Sequence, residues 1–153
     1  MKRGCFGIGI YQCKTGANIG TLWRSAAIYG ADFIFTIGQR YSKQASDTMK
    51  TYRHIPLYHY LNGDDFFNHV PYDCPVIAIE LSEKAIPVTM FEHPERCIYL
   101  LGAEDYGLPS AMINRCKETV QLPGAYCLNV AVAGSIIMYD RLIKGPWNEI
   151  IYT

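Results

Sequence analysis

Three short segments of this chain set glycine beside residues able to bind, orient or activate a reacting group. The first runs Asn18-Ile19-Gly20-Thr21-Leu22-Trp23-Arg24. Asn18 is suited to cap a helix, and Gly20 lets a backbone or a ligand come close. Arg24 stands one turn beyond Gly20, on the flank of an apolar stripe. An arginine so placed is usually a solvated helix charge, yet it has the chemistry to bind phosphate or to act at a reacting centre. The second segment is Leu101-Gly102-Ala103-Glu104-Asp105-Tyr106-Gly107-Leu108-Pro109. Its glycines flank a carboxylate, so the main chain can wrap a ligand while Glu104 stays near it; a plain turn with Glu104 in solvent fits the pattern equally well. The third, Leu122-Pro123-Gly124-Ala125-Tyr126-Cys127-Leu128-Asn129-Val130, leads into Ala131, Ala133, Gly134 and Ser135, small residues that permit close packing against another backbone. Asn129 is the polar residue near the start of that apolar helix, where capping alone would account for it.

The elements around these segments read as strands alternating with helices. Cys5–Ile10 is a short apolar strand. A helix follows from Asn18, with Ile19, Leu22, Trp23, Ala26 and Ala27 at helical spacing, until Gly30 stops it. Asp32–Ile37 is a buried strand, and Gly38–Tyr52 is a polar loop with a short helical piece. Leu57–Tyr60 is a short strand and Asp64–His69 a short helix. Val76–Leu81 and Arg96–Leu101 are strands, and Pro109 opens a helix running to about Cys116. Glu118–Leu122 is a strand, and Cys127–Ile143 a long helix. This alternation predicts an α/β domain with a mainly parallel sheet, so the second segment lies where such sheets bind ligands, at a strand's carboxyl end. No internal repeat or linker divides the chain, and residues 1–153 are expected to form one domain.

Composition bounds the chemistry further. Half of the residues are hydrophobic and 18% are charged, which fits a globular protein and argues against disorder. No run of about 18 apolar residues suggests a membrane span, and the N-terminus lacks the form of a signal peptide. Six cysteines without a C-x-x-C pair, several of them inside apolar runs, suit the reduced thiols of a cytoplasmic protein. Neither they nor the four scattered histidines show metal-ligand spacing, so no metal is expected. The formal charge is zero, so any binding of nucleic acid must rest on a local patch, a dimer surface or a partner.

In order and character the three segments resemble the motifs of the SpoU/TrmH branch of the SPOUT methyltransferases. That branch shows N-x-G-x-x-x-R, then G-x-E-x-x-G-L, then S-L-N-V in a small-residue helix. Here these read as Asn18, Gly20 and Arg24; Gly102, Glu104, Gly107 and Leu108; and Leu128, Asn129 and Val130. The resemblance spans residues 5 to 143. Two departures stand out: Cys127 occupies the motif's serine position, and the turn from Pro123 to Cys127 is about two residues shorter than usual.

The resemblance implies an α/β fold with helices on both faces of the sheet and a deep C-terminal trefoil knot, a rare exception to the rule against threading. It implies S-adenosylmethionine (SAM) as cofactor, held near Leu81, Gly102, Gly107, Leu122, Cys127 and Leu128. It implies a homodimer acting on RNA, transfer or ribosomal, by methylating a ribose 2′-hydroxyl. Arg24 would be the catalytic residue, with Asn18, Glu104 and Asn129 completing the site. A normal arginine stays protonated, so its acid–base role is left open. The homodimer is expected to use the Asn18–Tyr29 and Cys127–Ile143 helices. The alternatives are a SPOUT enzyme that methylates a base, disfavoured by the Arg24 motif, and a non-catalytic RNA-binding or assembly protein on the same fold. A dinucleotide-binding oxidoreductase is weaker, because Gly7-Ile8-Gly9 lacks the third glycine and following helix of G-x-G-x-x-G.

Overall fold

The computed structural model describes residues 4–38, 50 and 54–146. Among these residues seven strands form one sheet in the order β3-β2-β1-β6-β4-β7-β5, and each of their pairings is parallel. They are β1 (Cys5–Tyr11), β2 (Phe33–Ile37), β3 (Leu57–Tyr60), β4 (Val76–Ile79), β5 (Ile86–Pro87), β6 (Arg96–Leu101) and β7 (Glu118–Gln121). The helices among the described residues are α1 (Gly16–Tyr29), α2 (Gly63–Asn68), α3 (Ser110–Ile113) and α4 (Val130–Lys144), and a 3-10 turn spans Val88–Met90. The predicted polar loop after β2 lies largely outside the described residues.

Alternation along the strands splits the core in two. Phe6, Ile8 and Ile10 of β1, with Cys97, Tyr99 and Leu101 of β6, face α1 and α4. Ile98 and Leu100 of β6, with Phe35 and Ile37 of β2, face Phe66 of α2 and Met112 of α3. Both faces of the central strands are therefore covered, which explains why these strands read as continuous apolar runs. The expected parallel sheet with helices on both faces is observed.

Several boundaries differ from expectation. α1 begins at Gly16 after Thr15, so Asn18 lies inside the first turn and does not cap it. α4 begins at Val130: Cys127 and Leu128 precede it, and Asn129 is its N-cap. α3 is a single turn whose N-cap is Pro109, ending well short of Cys116. β5 was not foreseen, since a two-residue edge strand carries no periodic signal.

α4 runs from the carboxyl edge of the sheet back across it. At Gly134 an added Cβ would lie 2.4 Å from Leu22 Cδ1 and 3.0 Å from Leu101 Cδ1, so α4 seats directly on α1 and β6. One residue on, the Ser135 hydroxyl donates to Ser25 Oγ of α1 at 2.8 Å. At the far end Arg141 is fully buried, donating to the carbonyls of Pro94 (2.6 Å) and Glu95 (2.8 Å) and lying 4.9 Å from the Phe6 ring. Beside it the buried His93 bridges the Tyr99 hydroxyl (2.6 Å) and Asp140 Oδ2 (2.7 Å). This polar cluster locks the end of α4 to the start of β6.

Candidate active site

The carboxyl ends of three adjacent strands, β6, β4 and β7, open onto one cavity of about 320 Å3. Glu80 and Leu81 line it after β4, the loop 102–107 after β6, and Leu122, Pro123 and 126–128 after β7. Val130 and Ala133 of α4 close it from below. Leu81, Gly102, Gly107, Leu122, Cys127 and Leu128, the six residues expected near a cofactor, all line this cavity.

The loop after β6 is shaped by its two glycines. A Cβ on Gly102 would lie 2.4 Å from the Gly107 carbonyl carbon and 2.5 Å from Leu108 N, because the loop closes on itself. Gly107 N–H donates to Ala103 O at 2.9 Å. Gly107 also holds φ +63°, the left-handed region, where a Cβ would meet Glu80 Oε2 at 2.4 Å. Glu80 holds two loops together, its carboxylate accepting from the backbone N–H of Leu108 (2.8 Å) and of Leu81 (3.1 Å). Glu80 is not among the site residues expected from the sequence. A carboxylate directly after a fully buried central strand was the signal available, since a charge at that point needs partners.

At the rim, the three motif segments meet through side chains. Asn18 Nδ2 donates to Glu104 Oε1, and Asn129 Nδ2 donates to Asn18 Oδ1 at 3.0 Å. Asn129 Oδ1 accepts from the backbone N–H groups of Ala131 (2.9 Å) and Val132 (3.2 Å). That cap fixes the amide's orientation, because only the oxygen can accept from two N–H groups, and so the nitrogen must face Asn18. The freedom of Asn18 from the capping role is what lets its side chain bridge the other two. Buried Cys13 donates to Glu104 Oε1 through sulfur at 3.6 Å. Burial pushes the Cys13 thiol up to about 11, so at neutral pH it remains a thiol and a donor. Partial burial alone would raise the Glu104 carboxyl, but hydrogen bonds from its own N–H, Asn18, the Lys14 backbone and Cys13 outweigh it. Glu104 is held below its ordinary pKa and is ionised at neutral pH. Its charge orders the rim, with its acceptor sites already engaged.

Arg24 stands apart from this cluster. It lies exposed on α1, outside the cavity lining, and has no hydrogen-bond or ion-pair partner among the described residues. The stripe Ile19, Leu22, Trp23 and Ala26 is buried, which leaves Arg24 on the outward flank as expected. Among the described residues, no group of three His, Cys, Asp or Glu is placed to hold a metal ion, and no helix is long and apolar enough to cross a membrane.

A fully parallel sheet with a glycine-wrapped cavity at its carboxyl edge defines an α/β protein of the kind that binds a small-molecule cofactor. Residues 6–139 match the model of the SpoU rRNA Methylase family, and the chain belongs to that family. It is 32% identical over 68 residues to the 23S rRNA (guanosine-2′-O-)-methyltransferase RlmB of Acinetobacter baylyi, a match covering 42% of this chain and 27% of that protein. Its fold is shared by the SpoU methyltransferase AviRb of Streptomyces viridochromogenes, solved in complex with AdoMet, at a TM-score of 0.82 and 21% identity. That match covers 94% of this chain and 58% of the other, so this chain spans only part of the length of these larger relatives. A structure solved in work on the 2-OH methylation of C/U34 on tRNA is similar over 92% of this chain and 97% of its own, with a TM-score of 0.78 and 22% identity.

Proposed function

We propose that this chain is a SAM-dependent RNA methyltransferase that modifies a ribose 2′-hydroxyl in transfer or ribosomal RNA. The observation that carries the reading is the hydrogen-bonded chain Asn129–Asn18–Glu104 at the mouth of the cavity. It draws together the three segments that resemble the family's motifs. The cavity suits the cofactor: backbone at Gly102 and Gly107 is left bare for close approach, and Leu81, Leu122 and Leu128 offer apolar surface. Bound there, SAM supplies an electrophilic methyl group. Glu104 and Asn129 hold the loop and the start of α4 in place, and Asn18 couples them. Arg24, whose guanidinium has no partner among the described residues, orients the ribose hydroxyl beside an RNA phosphate and stabilises the charge that develops on its oxygen as the proton passes to that phosphate or to solvent. Positioning and electrostatics of this kind supply most of the rate enhancement.

The finer features belong to the same reading. A C-terminal trefoil knot is supported by the segment 122–128, which leads from β7 to α4 and lines the cavity beside the loop after β6. A homodimer is supported by Val132, Ile136, Tyr139 and Ile143, an exposed apolar stripe along α4, with Ile28 exposed on the adjoining α1. A cytoplasmic location accords with six free cysteines. The relatives' own RNAs, ribosomal in one and transfer in another, keep both substrate classes in view.

The test is methyl transfer from tritiated SAM to total RNA of a strain lacking this chain, with nucleoside analysis of the product. A 2′-O-methylnucleoside is expected. A folded protein that binds no SAM by calorimetry would sink the enzyme reading, and label found on a base would move it to base methylation.

A further inference from the structure

A second cavity adjoins the first across the loop 103–107. Ala103, Tyr106 and Gly107 line both, while Tyr11, Gln12 and Lys14 line only the second. It lies between the carboxyl ends of β1 and β6. The chain proceeds outward from β1 to β2 and β3 on one side and places its later strands on the other. This is the topological switch point of the sheet, where open parallel sheets leave a crevice for a ligand.

Its side chains are of three kinds. The Tyr106 ring is 86% exposed, with Lys14 Nζ 5.2 Å from its centroid and also bonded to Asp105. Gln12 holds φ 54°, left-handed backbone that a residue with a Cβ adopts at a cost. Its N–H is fixed on Ile37 O at 2.9 Å, and its amide passes where a Cβ on Gly38 would lie only 2.3 Å away. That amide has no hydrogen-bond partner among the described residues, so a strained backbone presents a donor and acceptor pair that those residues do not use. A solvent-facing aromatic ring, a primary amide and a cation together match the base face, base edge and phosphate of one nucleotide.

Resting on the methyltransferase reading, we infer that the second cavity seats the target nucleotide of the RNA. The base stacks on Tyr106, its edge meets the Gln12 amide, and Lys14 holds the adjoining phosphate. The loop 103–107 then has cofactor on one side and substrate on the other.

Gln12→Gly is the decisive variant, because glycine accepts the backbone angle and removes only the amide, so the fold is kept. Tyr106→Ala and Lys14→Ala test the other two contacts, with Lys14→Arg as the conservative rescue. Methyl transfer to total RNA from a strain lacking this chain, and SAM affinity by calorimetry, are measured on each. Gln12→Gly, Lys14→Ala and Tyr106→Ala should raise the KM for RNA roughly tenfold, in line with the loss of one stacked or hydrogen-bonded base. SAM affinity should stay within about twofold for the Gln12 and Lys14 variants. Wild-type KM in Gln12→Gly and Tyr106→Ala, alongside an active parent, would overturn this inference alone. Weakened SAM binding in Gln12→Gly with an unchanged KM would reassign the cavity to the cofactor and overturn it as well. A parent that neither binds SAM nor methylates RNA would take both readings down together.

Discussion

Asn129 does two separable things, and substitution can pull them apart. Its Oδ1 caps α4 through Ala131 and Val132, and its Nδ2 reaches Asn18. Asn129→Ala removes both. Loss of an N-cap costs about 1 kcal/mol, which for a chain of this size lowers the melting temperature by about 2–4 °C. Asn129→Asp keeps the cap and places a negative charge at the helix start, a gain of ~0.3–1 kcal/mol. It has no donor for Asn18 Oδ1, and Asn18 cannot turn over without facing its oxygen to the Glu104 carboxylate. One neutral hydrogen bond is worth ~0.5–1.5 kcal/mol, so a site that depends on it should slow by roughly two- to tenfold. The aspartate variant should therefore melt at or above the parent's temperature while transferring methyl groups more slowly, and the alanine variant should lose on both counts. Circular dichroism melts and single-turnover transfer to an RNA shown to be a substrate would check this. Wild-type turnover in Asn129→Asp would mean that the Asn18 bond is incidental to the site. An unshifted melt in Asn129→Ala would mean that the cap contributes nothing to α4.

Arg24→Ala should abolish methyl transfer while SAM affinity holds and stability stays within ~0.5 kcal/mol, as for an exposed side chain with no partner among the described residues; retained turnover would remove Arg24 from the chemistry. Gly107→Ala must strain a left-handed backbone and displace the Glu80 carboxylate, at a cost of ~1–2 kcal/mol for the backbone alone. Calorimetry should find SAM affinity down at least tenfold, and an unchanged affinity would refute the wrapped-loop picture. Ile136→Glu places a charge in the exposed α4 stripe and should turn a dimer into monomers in sedimentation velocity; a monomeric parent at micromolar concentration would end that proposal. Burial holds His93 below its ordinary pKa against the opposing pull of Asp140, with Arg141 and Lys144 lowering it further. The unfolded chain then takes up the proton first, so His93 leaves stability unaffected above pH ~6.5 and reduces it as pH falls below that value. Urea titrations should show a shallower loss between pH 6.5 and 5 in His93→Gln, and equal slopes would contradict the assignment.

Most strands were legible because both faces of the sheet are covered. Residues such as Ile77, Ile98 and Leu100 are buried whichever way they point, so β4 and β6 stand out as apolar runs against polar turns. The ends of the helices were harder. Asn18 has the chemistry of a cap, but its partners are Glu104 and Asn129, distant in sequence, and no local rule could reveal them. Asn129 was recognised as a cap residue, yet the helix was extended back to Cys127 because that stretch is apolar and small as well. Gly102 and Gly107 were read as letting the main chain wrap a ligand or make a plain turn, and the structure gives the local reason for them: the backbone at Leu108 crowds any Cβ on Gly102, and Gly107 holds a left-handed φ of +63°. Arg141 was invisible as a core residue, since a charge is buried only where carbonyls such as those of Pro94 and Glu95 await it. The three site segments could thus be picked out singly, and their meeting at one rim emerges only from the fold.

The position of β1 has a consequence during synthesis. Of the seven strands it is the earliest in sequence to leave the ribosome, and one of its edges pairs with β2 a few tens of residues later. Its other edge belongs to β6, whose Arg96 pairs with Cys5 about ninety residues downstream. At roughly 5–20 residues per second, that edge waits on the order of 5–20 s for its partner. A bare parallel edge flanked by Phe6, Ile8 and Ile10 is an invitation to wrong pairing for the whole of that interval. Slow stretches of translation after β2 would lengthen the exposure, and recoding the message there is expected to change the soluble yield without altering a single amino acid.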